Sequence, residues 1–303
     1  MLQTRQAFRV GTHPTHARIR HIDVGPDALR TFFANVATID VQELEYVPFM
    51  RFSIGQRLDT ALGGNFGETI RAIVADRESG GFTIGVAGTT QNDADYVRFG
   101  TAVAHLVGPS NFDAMSKTFY ARFTVEHTDT SDSYLRQAYR DMTLHTDGTF
   151  VEDATDWLLM MKFAERNATG GESRLLHLDD WADLEHFAHH PLATVPLTYK
   201  SPPSKNVTQI VKRPTFFDVD GKTCLSFIDQ FVYPDSLAQA TYLYDLSHSL
   251  ERAAIATPLP TGDLVMLNNA FWAHGRAAFA THTGLYRELM RQRGVFAKEA
   301  RVC

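Results

Sequence analysis

The stretch LHTDGTF (144–150) places a histidine and an aspartate two residues apart, with a glycine directly after them. Alternate side chains leave the same face of an extended chain, so His145 and Asp147 would converge if residues 141–150 form a strand. One imidazole and one carboxylate are half of a metal-binding set. The alternative is a polar strand end without chemistry, because the chain has 13 histidines and such a pair arises easily by chance.

A third ligand is offered by His274 in FWAHGR, directly after the apolar run DLVMLNN (263–269). Two imidazoles and one carboxylate on one side of an iron leave the opposite coordination positions open, as in non-haem Fe(II) oxygenases. We therefore predict that His145, Asp147 and His274 bind a metal and form the catalytic centre.

Cationic side chains follow His274 in RELMRQRG (287–294). On an extended chain Arg287, Arg291 and Arg293 share one face. Buried guanidinium groups are costly unless anions meet them, and carboxylates are their natural partners because they bind bidentately. The segment predicts a site for carboxylate ligands. An exposed strand face paired with Asp and Glu is the alternative.

Other residues could serve the same site. The segment GGESRLLHL (170–178) adds a Gly-Gly turn and the hydroxyl of Ser173 on the strand pair after the His-x-Asp strand. PPSKNV (202–207) could belong to a lid, with Lys205 and Asn206 near the substrate, or could be a plain surface turn. Arg122 could touch a substrate carboxylate, although its position favours a structural salt bridge.

The elements that must position these residues are short strands with helices around them. Apolar periodicity predicts helices over 26–39, 93–107 and 236–255. Strands are predicted over 81–88, 119–126, 156–163, 174–178, 263–269 and 288–297. Many short strands indicate a β-rich α+β protein with a closed or double-sheet barrel of the jelly-roll kind. No phosphate-binding glycine loop supports a nucleotide-binding fold.

Composition narrows the class of protein. The chain has 303 residues, 44% of them hydrophobic and 21% charged, and a formal net charge of −6, which argues against nucleic-acid or anionic-membrane partners. Two cysteines exclude a disulfide framework. No apolar run approaches the ~20 residues that cross a bilayer. We expect one soluble, cytoplasmic catalytic domain over 1–303, with the N-terminal ~20 and C-terminal ~6 residues flexible.

These motifs resemble the Fe(II)/2-oxoglutarate-dependent dioxygenases of the taurine dioxygenase and clavaminate synthase kind, and more narrowly the glutarate 2-hydroxylase family of carbon-starvation-induced proteins. The resemblance covers about residues 102–297 in order. The segments that carry it are AVAHLVGPSNFDAMS, YARF, SDSYLRQ, LHTDGTFVE, LLMMK, LLHLDDW, PPSKNV, IDQFV, FWAHGR and RELMRQRGVFA.

The resemblance implies a double-stranded β-helix, of the jelly-roll or cupin kind, with flanking helices. It implies Fe(II) at the predicted triad, with 2-oxoglutarate and O2 as cosubstrates. Ser173 stands where relatives place a threonine hydroxyl against the keto acid. The arginine cluster would grip the C5 carboxylate of 2-oxoglutarate: family spacing favours Arg287 and Arg291, and same-face proximity favours Arg291 and Arg293.

The resemblance implies hydroxylation of the diacid glutarate at C2, with succinate and carbon dioxide released. It also implies a homo-oligomer, a tetramer.

The same residues allow other functions. The same chemistry could act on another small carboxylic acid, or the protein could be a non-catalytic 2-oxoglutarate- or metal-binding sensor. A zinc hydrolase would need a general base, and no motif supplies one beyond the three ligands.

Overall fold

The structure is a computed structural model that describes residues 7–86, 88–128, 137–201 and 207–297. The strands of this described part are β1 Phe8–Thr12, β2 Arg20–Val24, β3 Gly81–Gly85, β4 Ala121–Glu126, β5 Met142–His145, β6 Trp157–Arg166, β7 Ser173–His177, β8 Leu197–Lys200, β9 Ile210–Arg213, β10 Phe216–Val219, β11 Lys222–Leu225, β12 Val232–Tyr233, β13 Ile255–Thr257, β14 Asp263–Asn268, β15 Trp272–Arg276 and β16 Tyr286–Gly294. The helices are α1 Pro26–Val36, α2 Val41–Tyr46, α3 Pro48–Ala61, α4 Phe66–Ala75, α5 Asp93–Val107, α6 Leu184–Ala188 and α7 Leu237–Ala253.

Two sheets form the core. The large sheet has seven strands in the order β1-β2-β3-β14-β6-β16-β4, and the small sheet has four in the order β13-β7-β15-β5. Side chains from both sheets fill one buried cluster: Leu158, Val265 and Leu289 come from the large sheet, and Leu175 and Ala273 from the small one. This two-sheet arrangement with flanking helices is the double-stranded β-helix that the sequence predicts.

Strand β6 shows why the apolar residues WLLMM (157–161) follow one another without alternating polar residues. Leu158 and Met160 point into the layer between the sheets. Leu159 and Met161 point to the other face, where helices cover the large sheet. A strand buried on both faces needs apolar side chains at every position.

The three predicted helices are confirmed, and their ends have identifiable causes. Pro26 begins α1, where its missing N–H costs nothing. The Asn92 side chain caps α5 by accepting from the Ala94 N–H at 2.8 Å, and the helix ends before Gly108. The Ser236 side chain caps α7 by accepting from the Gln239 N–H at 3.2 Å.

The N-terminal part of the chain joins the large sheet from Phe8 onward. β1 and β2 form an antiparallel pair at one edge of that sheet, and the expected flexibility of the first ~20 residues stays a prediction. Phe8 is buried and its ring lies 5.2 Å from that of Phe66. This apolar contact anchors the segment. The last six residues lie outside the described part, and the single-domain assignment stays a prediction.

None of the described helices is long and apolar enough to cross a membrane.

Candidate metal centre and its cavities

Pairing of β5 with β15 brings His145 directly opposite His274. The two imidazole rings are 4.2 Å apart between centroids, and His145 Nε2 lies 3.6 Å from Asp147 Oδ1. One donor atom from each of the three residues lies within 4.8 Å of the other two. The residues are 1%, 7% and 4% exposed for His145, Asp147 and His274. Within the described residues this is the one group of three metal-ligating side chains so placed.

His145 and Asp147 lie close together, but Asp147 is in a turn and not in a continued strand. Strand β5 ends at His145, and residues 147–150 form a turn rather than a continued strand. Gly148 has a φ of +79°, and a Cβ added there would lie 2.3 Å from Thr155 Oγ1. The predicted extension to Phe150 is therefore wrong, because the glycine turns the chain directly after the carboxylate.

The protonation of Asp147 and His274 suits a divalent cation. His145 Nδ1 lies 2.8 Å from the Thr143 carbonyl oxygen, so Nε2 is the nitrogen that faces Asp147. Burial and the nearby His145 lower the pKa of His274 to about 3, which keeps its imidazole neutral at pH 7. Burial would raise the pKa of Asp147, but Arg291 and the hydrogen bond with His145 hold it well below its usual range. Two imidazoles and one carboxylate match the donor set of a non-haem iron site.

Strand β16 places its arginines on the face that looks toward the triad. Arg287, Leu289, Arg291 and Arg293 alternate with Met290 and Gln292, and the latter two turn toward the helices. The face is buried: the side chains of Arg291 and Arg293 are 11% exposed, and that of Arg287 is 2%. The predicted shared face is present, and it is not the exposed face of the alternative reading.

Two carboxylates form ion pairs with Arg291 and Arg293. Arg291 Nη1 lies 3.2 Å from Asp147 Oδ2, and its Nη2 donates to Asp113 Oδ2 at 3.0 Å. Arg293 Nη2 lies 3.5 Å from the same Asp113 oxygen. Burial would raise the pKa of Asp113, yet the two guanidinium groups lower it on balance. Sequence reasoning missed Asp113, because nothing in SNFDAMS separates a buried aspartate from a surface one.

Arg287 has a different environment. Its Nη1 donates to the carbonyl oxygen of Gly171 at 2.5 Å, and its Nε lies 3.8 Å from Glu165 Oε2. Burial lowers its pKa to about 10, so the side chain is still a cation at pH 7. The Gly-Gly turn before Ser173 therefore holds this arginine through a backbone carbonyl.

Two cavities flank the triad and share Arg291. The narrow cleft, about 40 Å³, is lined by Phe123, Val125, Met142, Met160, Ser173, His274, Gly275, Arg276, Arg287, Leu289 and Arg291. The wide cavity, about 310 Å³, includes His145, Asp147, Asp113, Arg291 and Arg293 in its wall, together with Phe112, Phe150, Gln230 and Phe231. A still larger cavity of about 690 Å³ borders Asp147 but neither histidine of the triad nor any arginine of β16. Only the first two of these three cavities are lined by both a histidine of the triad and an arginine of β16.

Of the other predicted residues, Arg122 is described by the structure, and Lys205 and Asn206 are not. Arg122 pairs with Asp93 at 2.6 Å and with Glu288 at 2.7 Å, which confirms the structural salt bridge. Lys205 and Asn206 of the predicted lid lie outside the described residues.

Comparison with known proteins places this geometry in a family. A model of the CsiD family matches residues 8–296. A glutarate 2-hydroxylase of Citrobacter koseri is 47% identical over 276 residues, which are 89% of this chain and 85% of that protein. A glutarate 2-hydroxylase of Klebsiella pneumoniae is 44% identical over 304 residues, 98% of this chain and 93% of that protein.

Solved structures agree on the fold. An asparagine oxygenase in complex with Fe(II), 2S,3S-3-hydroxyasparagine and succinate has a TM-score of 0.74 at 15% identity, covering 91% of this chain and 92% of that one. The non-heme iron oxygenase OrfP in complex with Fe and α-ketoglutaric acid has a TM-score of 0.66 at 15% identity, covering 88% and 90%. At such low identity the likeness shows the fold alone, and it is the predicted one.

Proposed function

The chain belongs to the CsiD family, and on that premise we propose that it hydroxylates glutarate at C2 in an Fe(II)- and 2-oxoglutarate-dependent reaction. Glutarate, 2-oxoglutarate and O2 would give 2-hydroxyglutarate, succinate and carbon dioxide. The two glutarate 2-hydroxylases, 47% and 44% identical over most of this chain, support the substrate. The observation that carries the proposal is one buried His-Asp-His triad between two cavities that both contain arginine.

His145, Asp147 and His274 would hold the iron. The donor atoms are close enough to share one ion, and Asp147 is anionic and His274 neutral, as binding of a divalent cation requires. Bound Fe(II) would supply the redox chemistry with O2 that no side chain can provide. The protein then contributes ligand geometry, positions for two acids and exclusion of water.

The narrow cleft would bind 2-oxoglutarate. Arg287 provides a buried cation that would bind the far carboxylate, and Ser173 provides a hydroxyl in the wall that also contains His274. Phe123, Val125 and Leu289 supply apolar walls for a methylene chain. The cleft is narrow, and its Met142 and Met160 are flexible thioether side chains that can shift to widen it.

The wide cavity fits glutarate. Arg293 lies in its wall but not in the wall of the narrow cleft, so it would bind the far carboxylate of the substrate. Arg291 borders both cavities and would serve either acid. Two five-carbon diacids at one metal need separate cations, and the three arginines of β16 meet that need.

An oxygen electrode tests the proposal. We expect O2 consumption only when Fe(II), 2-oxoglutarate and a diacid are all present, and the fastest rate with glutarate in a panel of diacids from three to seven carbons. A faster rate with another acid would show that this acid, and not glutarate, is the substrate, and the enzyme class would stand. Binding of 2-oxoglutarate without any succinate release would instead indicate a sensor.

We further propose a cytoplasmic homo-oligomer, a tetramer as the family resemblance implies. Support comes from aromatic side chains exposed on α2 and α3: Tyr46 is 68% exposed, Phe49 79% and Phe52 46%. Such a patch favours contact with another protein surface. Light scattering on the purified protein would give the mass, and a monomer would contradict the proposal.

A further inference from the structure

The side chain of Asn269 holds the backbone of Asp147 on both sides of the residue. Its Oδ1 accepts from the Asp147 N–H at 2.8 Å. Its Nδ2 donates to the Asp147 carbonyl oxygen at 2.9 Å and to the Thr155 carbonyl oxygen at 2.8 Å. Asn269 is itself 6% exposed, so these bonds are shielded from water.

The position of Asn269 in the chain gives these bonds a consequence for the metal centre. It follows β14 directly and precedes β15, the strand that carries His274. Its own N–H donates to the Asp156 carbonyl oxygen at 2.8 Å, which ties it to the residue before β6. One amide therefore joins the turn that presents Asp147 to the hairpin that presents His274.

Asp147 needs such support, because it lies in a turn and not in a strand. His145 and His274 are fixed by the pairing of β5 with β15, but that ladder ends before Asp147. A carboxylate displaced by about an ångström can disable a site of this kind. Hydrogen bonds that hold a ligand from behind affect metal binding through such displacements.

We propose that Asn269 is the positioning residue of the metal centre, fixing the Asp147 carboxylate relative to His274. It touches no substrate in this role and acts only through Asp147. The inference rests on the metal site of the proposed function. It adds Asn269, a residue for which the sequence predicts no role.

The neighbouring Asn268 provides a matched control. It is equally buried, at 5% exposure, and its side chain also makes hydrogen bonds to backbone: Nδ2 donates to the Val74 carbonyl oxygen at 3.0 Å and Oδ1 accepts from the Ala270 N–H at 3.0 Å. The first of these bonds joins β14 to α4, the second stays within the segment that follows β14, and neither reaches the turn of Asp147. Removing either amide should lower stability, but only Asn269 should affect the metal.

The experiment compares Asn269→Ala with Asn268→Ala in the full chain, using Mn(II) as a redox-stable probe. Mn(II) affinity is measured by titration calorimetry, and the melting temperature is measured in the presence of a chelator. We expect similar losses of melting temperature in both variants, and a loss of Mn(II) affinity of roughly 10- to 100-fold only in Asn269→Ala. The visible spectrum of the Co(II)-loaded protein should change in Asn269→Ala and stay that of the wild type in Asn268→Ala.

A second pair, Asn269→Asp and Asn268→Asp, keeps side-chain volume in case an alanine variant fails to fold. Asn269→Asp retains the acceptor for the Asp147 N–H but loses the donor to both carbonyls, so it should also weaken Mn(II) binding more than Asn268→Asp. Equal Mn(II) affinities within either pair would overturn the inference and leave the proposed function intact. Failure of the wild type to bind Mn(II) would instead refute the metal site, and the inference with it.

Discussion

Asp147 contacts both histidine and arginine: its Oδ1 lies 3.6 Å from His145 Nε2, and its Oδ2 lies 3.2 Å from Arg291 Nη1. We predict that Asp147→Ala abolishes succinate formation, since one of three metal ligands is lost. The protein should stay folded, because Asp113 still pairs with Arg291. Asp147→Glu should fail as well, as the extra methylene moves the carboxylate by roughly an ångström. Near wild-type turnover of Asp147→Ala, with circular dichroism showing a folded chain, would refute the triad.

The arginines of β16 should separate the two acids. A buried, charge-assisted bond contributes roughly 1.5–3 kcal/mol, which corresponds to a tenfold to hundredfold change in affinity. Arg287→Met should therefore raise the KM for 2-oxoglutarate by that factor, and Arg293→Met should raise the KM for glutarate. Lysine at either position keeps the charge without the planar fork, so partial rescue is expected.

The matched control for these variants is Arg122→Met, which removes an arginine on the neighbouring strand that pairs with Asp93 and Glu288 and lines neither cavity. Both KM values should stay unchanged there. If Arg287→Met raised the KM for glutarate and left that for 2-oxoglutarate untouched, the assignment of the cavities would be reversed.

Asp113 should oppose the binding of a second diacid. Its carboxylate shares Arg291 and Arg293 with any anion that enters the wide cavity. Two like charges ~10 Å apart repel by about 1.7 kcal/mol at an effective dielectric of ~20. Asp113→Asn should thus lower the KM for glutarate by roughly tenfold, with the KM for 2-oxoglutarate unchanged. Asp153 lines the same cavity but is exposed and pairs with no arginine of β16, so solvent screens its charge and Asp153→Asn serves as the control. A higher KM in Asp113→Asn would show that Asp113 orients the arginines instead.

At the scale of elements, the junction of β5 and β15 depends on Gly275. The register of this pair shifts between His274 and Arg276, and a Cβ on Gly275 would lie 2.4 Å from the Met142 carbonyl oxygen. Gly275→Ala should therefore push the strands apart beside His274, lowering both the melting temperature and Mn(II) affinity. Gly11→Ala, in β1, places its Cβ 3.9 Å from the nearest atom and should change neither. Unchanged Mn(II) affinity in Gly275→Ala would show that the site tolerates displacement of β15.

The elements also show which parts of the fold a sequence reveals. Strand β6 and helix α5 were predictable, because an unbroken apolar run and a capped helical stripe each leave a local signal. Helix α3 was not, since its polar and apolar residues follow no single stripe: Phe49 and Phe52 are exposed while Ile54 and Leu58 are buried.

The residues of the site also fall into those that a sequence reveals and those that it does not. The triad and the arginine face could be predicted, because residue type and strand alternation suffice for them. Asp113 and Asn269 could not, since their roles depend on contacts with residues 178 and 122 positions away along the chain. The turn at Asp147 was misread, because Gly148 follows a strand that could equally have continued.

The whole molecule should lose stability in mild acid. Burial lowers the pKa of His105 and of His177 to about 4, and burial with the nearby His145 lowers that of His274 to about 3. The unfolded chain takes up protons at these sites below its ordinary pKa of ~6.5, whereas the folded protein does not until about pH 4. Stability is therefore full above pH 6.5 and falls as the pH drops, by up to about 1.4 kcal/mol per pH unit for each histidine.

Urea unfolding between pH 7.5 and 4.5, with a chelator present, measures this slope. His105→Gln should flatten it by the contribution of one histidine. A wild-type unfolding free energy that does not change over this range would contradict the buried neutral state of these side chains.

The most direct test of the account follows the two atoms of O2. The purified protein is given Fe(II), 2-oxoglutarate and glutarate under ¹⁸O2, and the acids are analysed by mass spectrometry. We predict equal amounts of succinate and 2-hydroxyglutarate, with one ¹⁸O atom in the new carboxylate of succinate and one in the C2 hydroxyl of 2-hydroxyglutarate. Succinate formed without any labelled 2-hydroxyglutarate, at every glutarate concentration tested, would contradict the proposed reaction.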